Sequence, residues 1–503
     1  MSTAPAGEFV VTSGMTSTDL ETGAITGDIQ EQTYKVFGNL ELALKEAGSS
    51  LTHMIKVTAF LADISEFDAY NQLYREYFAE GRGRARMTVQ VREISGLRSR
   101  QLHWRRKRRS PYLIKEMRMS EIPIYRITKD EHTQSPGQGP EFVTFGETMV
   151  RETPADMERP ERTRLVRLSM AGSEFTLATG LSRLGISSAY ITRVPDNPYG
   201  WALRNTARAQ GVNTDYFVWA PKTEPIGRFI YEIGRTPRKN TGVYQRMYSA
   251  ASRLGAGMTD WQNALRDACL FHTSGITFGL ATHSQYDRNY NYEAFKEALE
   301  AKPKDCLVGL DFNYRGTLWT AAQAREVMTP IVSQHVDILI TTIEDMAKLY
   351  DIPCGQYSAK QVVDGELGEI RDNDVQTFAK NVMDRFENVN IVAITIRYPD
   401  TFEEHRWESA SMDREGYFFR SPSVKKIALM DRLGGGDTWN AGFYYGLLTE
   451  NLTKEGIRKG VLVGDAATRL KQTLMFDLPI VQKNEIEALM VEDVKGGGRR
   501  TTR

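Results

Sequence analysis

The chain has 503 residues, with 64 Lys and Arg against 64 Asp and Glu, 25% charged and 41% hydrophobic. At roughly 150 residues per domain this makes two to four globular domains, and the balance excludes a disordered or fibrous chain and nucleic-acid binding through net charge. Three scattered cysteines (Cys269, Cys306, Cys354) form no CxxC or Cys/His cluster, and no apolar run reaches the roughly 18 to 20 residues of a membrane span, so a cytoplasmic protein is expected.

From residue 8 to about 94 the pattern is a compact α+β unit. Phe9, Val10 and Val11 form a short strand. Asp28 caps a helix whose Val36, Leu40, Leu44 and Ala47 recur at helical spacing. Residues 54–60 alternate as a strand, 65–78 as a helix, and 87–91 as a further strand.

The segments TSGMTSTDLETGAITGDIQEQTYKVFGNLELALKEAG, KVTAFLADISEFDAYNQLYREYF and ARMTVQV resemble the RidA/YjgF family of small trimeric imine deaminases. The resemblance places Arg86 where that family binds a substrate carboxylate with a guanidinium, although Arg82, Arg84, Arg86 and Arg92 also read as an arginine-rich turn. The family's opening Pro-Tyr-Ser segment is absent before Glu8 and its closing strand with the acidic residue is replaced by SGLRSRQLHWRRKRRSP, so an active deaminase is not expected, with an oligomerisation or binding module as the alternative reading.

Residues 98–109 hold seven cations and no acid. The segment reads as a solvated linker, with a localisation or nucleic-acid patch as the alternative. Without these cations the chain has 57 basic against 64 acidic residues, so neutrality averages an acidic protein and one basic connector. Nucleic acid is not expected as a partner. The expected domains are a partial RidA-like module at 1–95, a basic and polar linker at 96–140, and a catalytic domain at 141–503.

That last region opens with a strand, residues 142–147. A small-residue helix (177–184) is ended by Gly185, and further strands are expected at 188–194, 307–312, 336–340 and 389–394, with helices between. This is the rhythm of an open parallel α/β sheet, whose ligands bind beyond the carboxyl ends of the strands.

The chemistry concentrates in Asp431-Arg432-Leu433-Gly434-Gly435-Gly436-Asp437-Thr438, between an apolar approach and a helix through Leu448. Three glycines let backbone N–H groups converge at a helix N-terminus, where the dipole also favours an anion. An Asp beside that anion is repulsive unless it accepts a proton from an attacking hydroxyl.

DRLGGGDTWNAGF resembles the anion-hole motif of the ribokinase/PfkB carbohydrate kinases, in the form associated with 2-keto-3-deoxygluconate (KDG) kinases. The resemblance implies a ribokinase-like three-layer α/β/α sandwich with a small β lid, ATP and Mg²⁺ as cofactors, and a homo-oligomer. It implies Asp437 as catalytic base, with Gly434, Gly435 and Gly436 as the anion hole. MAGSEFTLATGLSRLG places Gly172 against the sugar, with Thr176 where the family has Asn. Phe229 falls at a lid aromatic, and Tyr244 and Arg246 match the pair that holds the acid end of KDG. DFNYR places Asn313 and Arg315 at ATP, with Arg315 at the sugar acid too. Thr395 stands at the ATP wall, and Glu344, with Thr341 in place of Asn, near Mg²⁺. Asp477 is a further substrate candidate, and the helix after Gly464 is expected over the adenine.

Two arginines fit a substrate with a carboxylate better than a neutral sugar. The expected reaction moves the γ-phosphoryl group of MgATP to the terminal hydroxyl of KDG, under lid strands near 229–232 and 244–248. The alternatives are kinases of fructose, 2-keto-3-deoxygalactonate or 5-dehydro-2-deoxygluconate, or a non-catalytic binding protein.

Overall fold

The computed structural model describes residues 3–6, 9–12, 17, 26–46, 50, 56–61, 66–77, 85–90, 139–280, 288–399, 403–422 and 425–495. The expectations for residues 98–109 and for the segment that replaces the RidA closing strand lie outside these. The chain divides into two compact units, Met1–Leu113 and Ile114–Arg503.

In the first unit Asp28 Oδ1 accepts from the Gln30 and Glu31 amides and starts the helix Ile29–Glu46. This helix and Phe67–Tyr77 bury Phe37, Leu40, Leu44, Tyr70 and Tyr74 together with Leu61. Lys56–Leu61 pairs in parallel with Ala85–Gln90, which sets Arg86 opposite Val57, in a strand rather than a turn. A hairpin strand, Thr3–Ala6, pairs with Phe9–Thr12 and had no signal in the Ala/Pro-rich N-terminus.

The second unit is built on a nine-stranded sheet. Its order runs Phe418–Arg420, Glu404–Asp413, Ile391–Pro399, Ile338–Thr341, Leu307–Asp311, Leu270–Ser274, Phe142–Phe145, Ser188–Ile191, with Lys425–Ala428 also on Glu404–Asp413. The six strands from Ile391–Pro399 to Ser188–Ile191 are parallel. Parallel strands need cover on both faces, and the side chains alternate accordingly. Phe142, Leu270, Ile338 and Ile340 pack under the helices Ser173–Leu184, Gly435–Thr449 and Lys454–Lys471. Val143, Phe145, Phe271 and Leu339 pack under Tyr290–Ala301, Ala321–His335, Ile343–Tyr350 and Asp372–Arg385. This is a three-layer α/β/α sandwich.

Two expectations are corrected. The strand expected over 188–194 is two, Ser188–Ile191 and Arg193–Pro195, because the second leaves the main sheet to pair with Val218–Ala220. The helix expected after Gly464 starts ten residues earlier, at Lys454, and Gly464 packs on Trp439. Its missing Cβ permits close contact between this helix and Gly435–Thr449.

A second sheet of four strands, in the order Thr241–Gln245, Arg228–Glu232, Met149–Pro154, Val166–Ala171, forms the lid. Its edge strand ends at Gln245, so Arg246 and Tyr248 lie beyond it, and Tyr248 has a φ of 59°.

Candidate active site

Helix Gly435–Thr449 begins beside the carboxyl ends of the parallel strands, and its first-turn amides precede any helical acceptor. The preceding Gly434 has a φ of 74°, and a Cβ there would lie 2.2 Å from the Asp477 carbonyl oxygen. Glycine is therefore required twice over, by conformation and by space. A Cβ on Gly436 would meet nothing within 4 Å, so that position faces open space. The loop thus presents N–H groups and a helix dipole to an anion.

Asp437 stands in the first turn of this helix, and its Oδ1 accepts from Ser173 Oγ at 2.5 Å. Loss of hydration raises its pKa, opposed by the Ser173 hydrogen bond and by the charges of Arg315, Lys471 and Arg397. Ser173 heads its own helix, with Gly172 as N-cap. A Cβ on Gly172 would lie 2.4 Å from the Glu147 carbonyl oxygen, so this glycine is also fixed by backbone crowding.

Asp311 ends the strand Leu307–Asp311 and accepts from Asn440 Nδ2 at 2.9 Å. Burial, then the Asp437 charge, pushes its pKa up to about 7. Asn313, at a φ of 41°, directs its amide to Ser173 Oγ at 3.4 Å, and Asn tolerates this left-handed backbone. Asn313 thereby sits with Ser173 and Asp437. Arg315 is exposed, donates to the Tyr314 carbonyl oxygen at 3.2 Å, and its charge acts on Asp437, Asp311 and Asp345.

Glu344 is exposed in the first turn of Ile343–Tyr350, behind the N-cap Thr342 and the buried Thr341. Beside it Asp345 accepts from the Tyr314 amide at 3.3 Å, and burial raises its pKa to about 6. No group of three or more metal-ligating side chains occurs among the described residues. The exposed Glu344 is the carboxylate here that could reach a Mg²⁺ ion through the ion's water shell. Thr395 is buried in mid-strand. Two residues on, burial and the Arg432 charge lower the Arg397 pKa, while Glu344 and Asp345 support the charged form. A cation on this strand therefore faces Glu344 and Asp345.

At the lid, Phe229 is buried and stacks on Tyr244 with centroids 5.0 Å apart and planes at 14°, while Tyr244 is exposed. Arg246 Nε donates to Glu147 Oε2 at 2.7 Å, and the pair is nearly closed to solvent. The arginine expected to hold a substrate carboxylate already has a carboxylate. Glu147 Oε1 is buried without a hydrogen-bond partner and faces Gly227, where a Cβ would come within 2.6 Å.

Asp477, the further substrate candidate, is buried and holds an arginine. Its carboxylate accepts from Arg151 Nη1 at 2.7 Å, and Arg151 Nη2 donates to Asp431 at 2.6 Å. Removing one partner of so buried a pair costs about 3–5 kcal/mol. Glu174, equally buried, accepts from Ser274 Oγ at 2.5 Å and Thr277 Oγ1 at 2.8 Å, tying its helix to the sheet. Thr176, in place of the family's Asn, is fully buried.

The sequence reading passed over Glu147, Ser173, Asn440 and Arg151. Glu147 follows directly on the Gly146 that ends the first core strand, which is where the sheet-end rule directs attention. Arg151 had no such signal.

Residues 140–364 match the model of the pfkB family of carbohydrate kinases, and residues 2–99 match the model described as Endoribonuclease L-PSP. A 2-dehydro-3-deoxygalactonokinase of Haloferax volcanii is 28% identical over 350 residues, 70% of this chain and 96% of that protein. A RutC family protein of Pyrococcus abyssi is 43% identical over 89 residues, 18% of this chain and 69% of that protein. Among solved structures, a 2-dehydro-3-deoxygluconokinase of Thermotoga maritima superimposes with a TM-score of 0.62 at 29% identity, covering 70% of this chain and 99% of that one.

Proposed function

From a chain that joins an N-terminal domain of the RutC (RidA) family to a pfkB family carbohydrate kinase domain, we infer a sugar kinase that phosphorylates 2-keto-3-deoxygluconate on its terminal hydroxyl. Kinases of the pfkB family use ATP, and the reading takes MgATP as the donor here. The observation that carries it is the placement of Asp437, a carboxylate of raised pKa beside the free amides of a glycine loop. A base should have a pKa lifted toward the working pH, and an anion hole should aim fixed donors at developing charge.

In this reading Asp437 accepts the hydroxyl proton as the sugar oxygen attacks the γ-phosphorus. Ser173 holds the carboxylate in place until the sugar hydroxyl arrives. The amides of Gly434, Gly435 and Gly436 and the guanidinium of Arg315 offset charge on the phosphoryl oxygens. Mg²⁺, when bound with ATP, supplies further neutralisation, with Glu344 ordering its water. Asn313 positions Ser173, and Thr395 lies in the strand that backs the nucleotide.

The sugar sits over Gly172, under Phe229 and Tyr244 of the lid, with its carboxylate on Arg246. That carboxylate competes with Glu147 for the guanidinium. The C4 epimer, 2-keto-3-deoxygalactonate, presents the same acid end and the same terminal hydroxyl, and the name of the Haloferax relative favours including it. No helix among the described residues is long and apolar enough to cross a membrane, and the reading places the enzyme in the cytoplasm. Incubating the full chain with MgATP and 2-keto-3-deoxygluconate, then locating the phosphate by NMR, tests the reaction. Phosphate on C6 is expected, and absence of any phosphorylated sugar acid contradicts it.

A further inference from the structure

We propose that Arg151 is a positioning residue that couples the lid to the anion hole, holding the glycine loop in shape from a lid strand. Arg151 lies on Met149–Pro154, yet its guanidinium is spent on the loop and its support. Nη2 donates to Asp431 Oδ2 at 2.6 Å, Nη1 to Asp477 Oδ1 at 2.7 Å, and Nε to Thr153 Oγ1 at 2.9 Å. Its planar face lies 4.7 Å from the ring centroid of Tyr231, on the neighbouring lid strand, and 5.6 Å from that of Phe476.

Both carboxylates act on the loop. Asp431 opens it and accepts from the Leu433 amide at 3.1 Å and the Phe476 amide at 3.0 Å. The Asp477 carbonyl oxygen presses on Gly434, the left-handed residue that turns the amides toward the phosphoryl site. Lys471 Nζ donates to the Asp431 carbonyl oxygen at 3.2 Å and to that of Leu433. Two cations and two anions, all at most 7% exposed, thus bracket the loop as a neutral cluster. Such a cluster favours one geometry, because any shift leaves a charge unpaired in a medium that cannot solvate it.

The lid side of the coupling follows from strand register. Arg151 is the direct partner of Phe229, and Phe229 is the direct partner of Tyr244. The row Arg151, Phe229, Tyr244 therefore runs across three strands, with the aromatic pair at the sugar and the guanidinium at the loop. A lid that settles on its sugar moves this row, and the row ends on Asp431. Arg151 reaches no reacting atom, so its effect belongs in turnover and not in ground-state binding.

The test is steady-state kinetics on the full chain for Arg151→Lys, Arg151→Gln and Thr153→Val, each with a thermal melt. A lysine retains the charge without the planar fork. Loss of one misaligned anion-hole donor costs about 10²-fold or more in other enzymes, so Arg151→Lys should lower kcat at least about tenfold. KM for sugar and for MgATP should move by less than about threefold, with a cooperative melt preserved. Arg151→Gln should be worse than lysine. If it does not fold, Thr153→Val, which frees only Nε, should show the same fall in kcat at a smaller scale. A folded Arg151→Lys with kcat within about twofold of the parent overturns the proposal. So does a loss of activity that follows only the unfolded fraction in the melts, which would leave Arg151 a stabilising ion pair and nothing more.

Discussion

Ser173 Oγ donates to Asp437 Oδ1 at 2.5 Å, joining the N-termini of two helices that are 264 residues apart in the chain. The bond sits where a sugar hydroxyl must arrive if Asp437 is the base. Asp437→Asn keeps the shape and removes the proton acceptor. Turnover should fall by about 10²–10⁴-fold, the range of general-base catalysis, while affinity for ATP stays within about threefold. Stopped-time phosphorylation assays and nucleotide titration check this, and near-normal turnover would remove Asp437 from its role.

The pH dependence reports a pair of carboxylates. Asp437 is raised by loss of hydration, and Asp311 is pushed up to about 7 by burial and by Asp437. Because the base must be ionised, kcat/KM should rise with pH through an apparent pKa above that of an ordinary aspartate. Asp311→Asn removes a neighbouring negative charge, so the acid limb should move to lower pH. A limb that stays in place shows that Asp311 does not share the titration.

The pairing of Arg246 with Glu147 sets up a test that separates acid sugars from neutral ones. A hydrogen bond to a charged group contributes roughly 1.5–3 kcal/mol, so Arg246→Ala should raise KM for a sugar acid about 10- to 100-fold and leave neutral sugars alone. Glu147→Gln weakens the resident competitor and should lower KM for the sugar acid. Equal effects on fructose and on 2-keto-3-deoxygluconate would place the carboxylate elsewhere.

The fold itself carries an acid sensitivity. His272 is buried in the central sheet, its Nδ1 2.9 Å from the Tyr444 hydroxyl, in space left by the missing side chain of Gly309. Burial lowers its pKa to about 3 from 6.5. The unfolded chain therefore binds a proton below about pH 6.5 that the folded chain refuses, and stability falls with pH at about 1.4 kcal/mol per unit across that window. Between pH 7 and pH 5 this residue accounts for about 2 kcal/mol of loss. Melts of His272→Gln should show a smaller drop over that interval, and an unchanged drop contradicts the assignment.

What could be read from sequence divides along physical lines. The parallel core was legible because strands such as Leu307–Asp311 are apolar on both faces and end at polar residues. The glycine loop was legible because Gly434 must adopt a conformation other residues resist. The Arg246 to Glu147 pair was not, since a side chain's partner depends on how the lid folds over the sheet, across 99 residues of chain. Arg151 was hidden for the same reason. An arginine between Val150 and Glu152 in a short strand gives no local sign that two distant aspartates will meet it. The ion pair of Asp477 with Arg151 was hidden with it, because those two residues are 326 apart in the chain.

The most direct measurement is kcat/KM of the full chain with MgATP for 2-keto-3-deoxygluconate, its C4 epimer and fructose, run beside Asp437→Asn. The account predicts turnover with the two sugar acids, at least about tenfold less with fructose, and loss of turnover in the variant. Efficient phosphorylation of fructose with none of either sugar acid would contradict it.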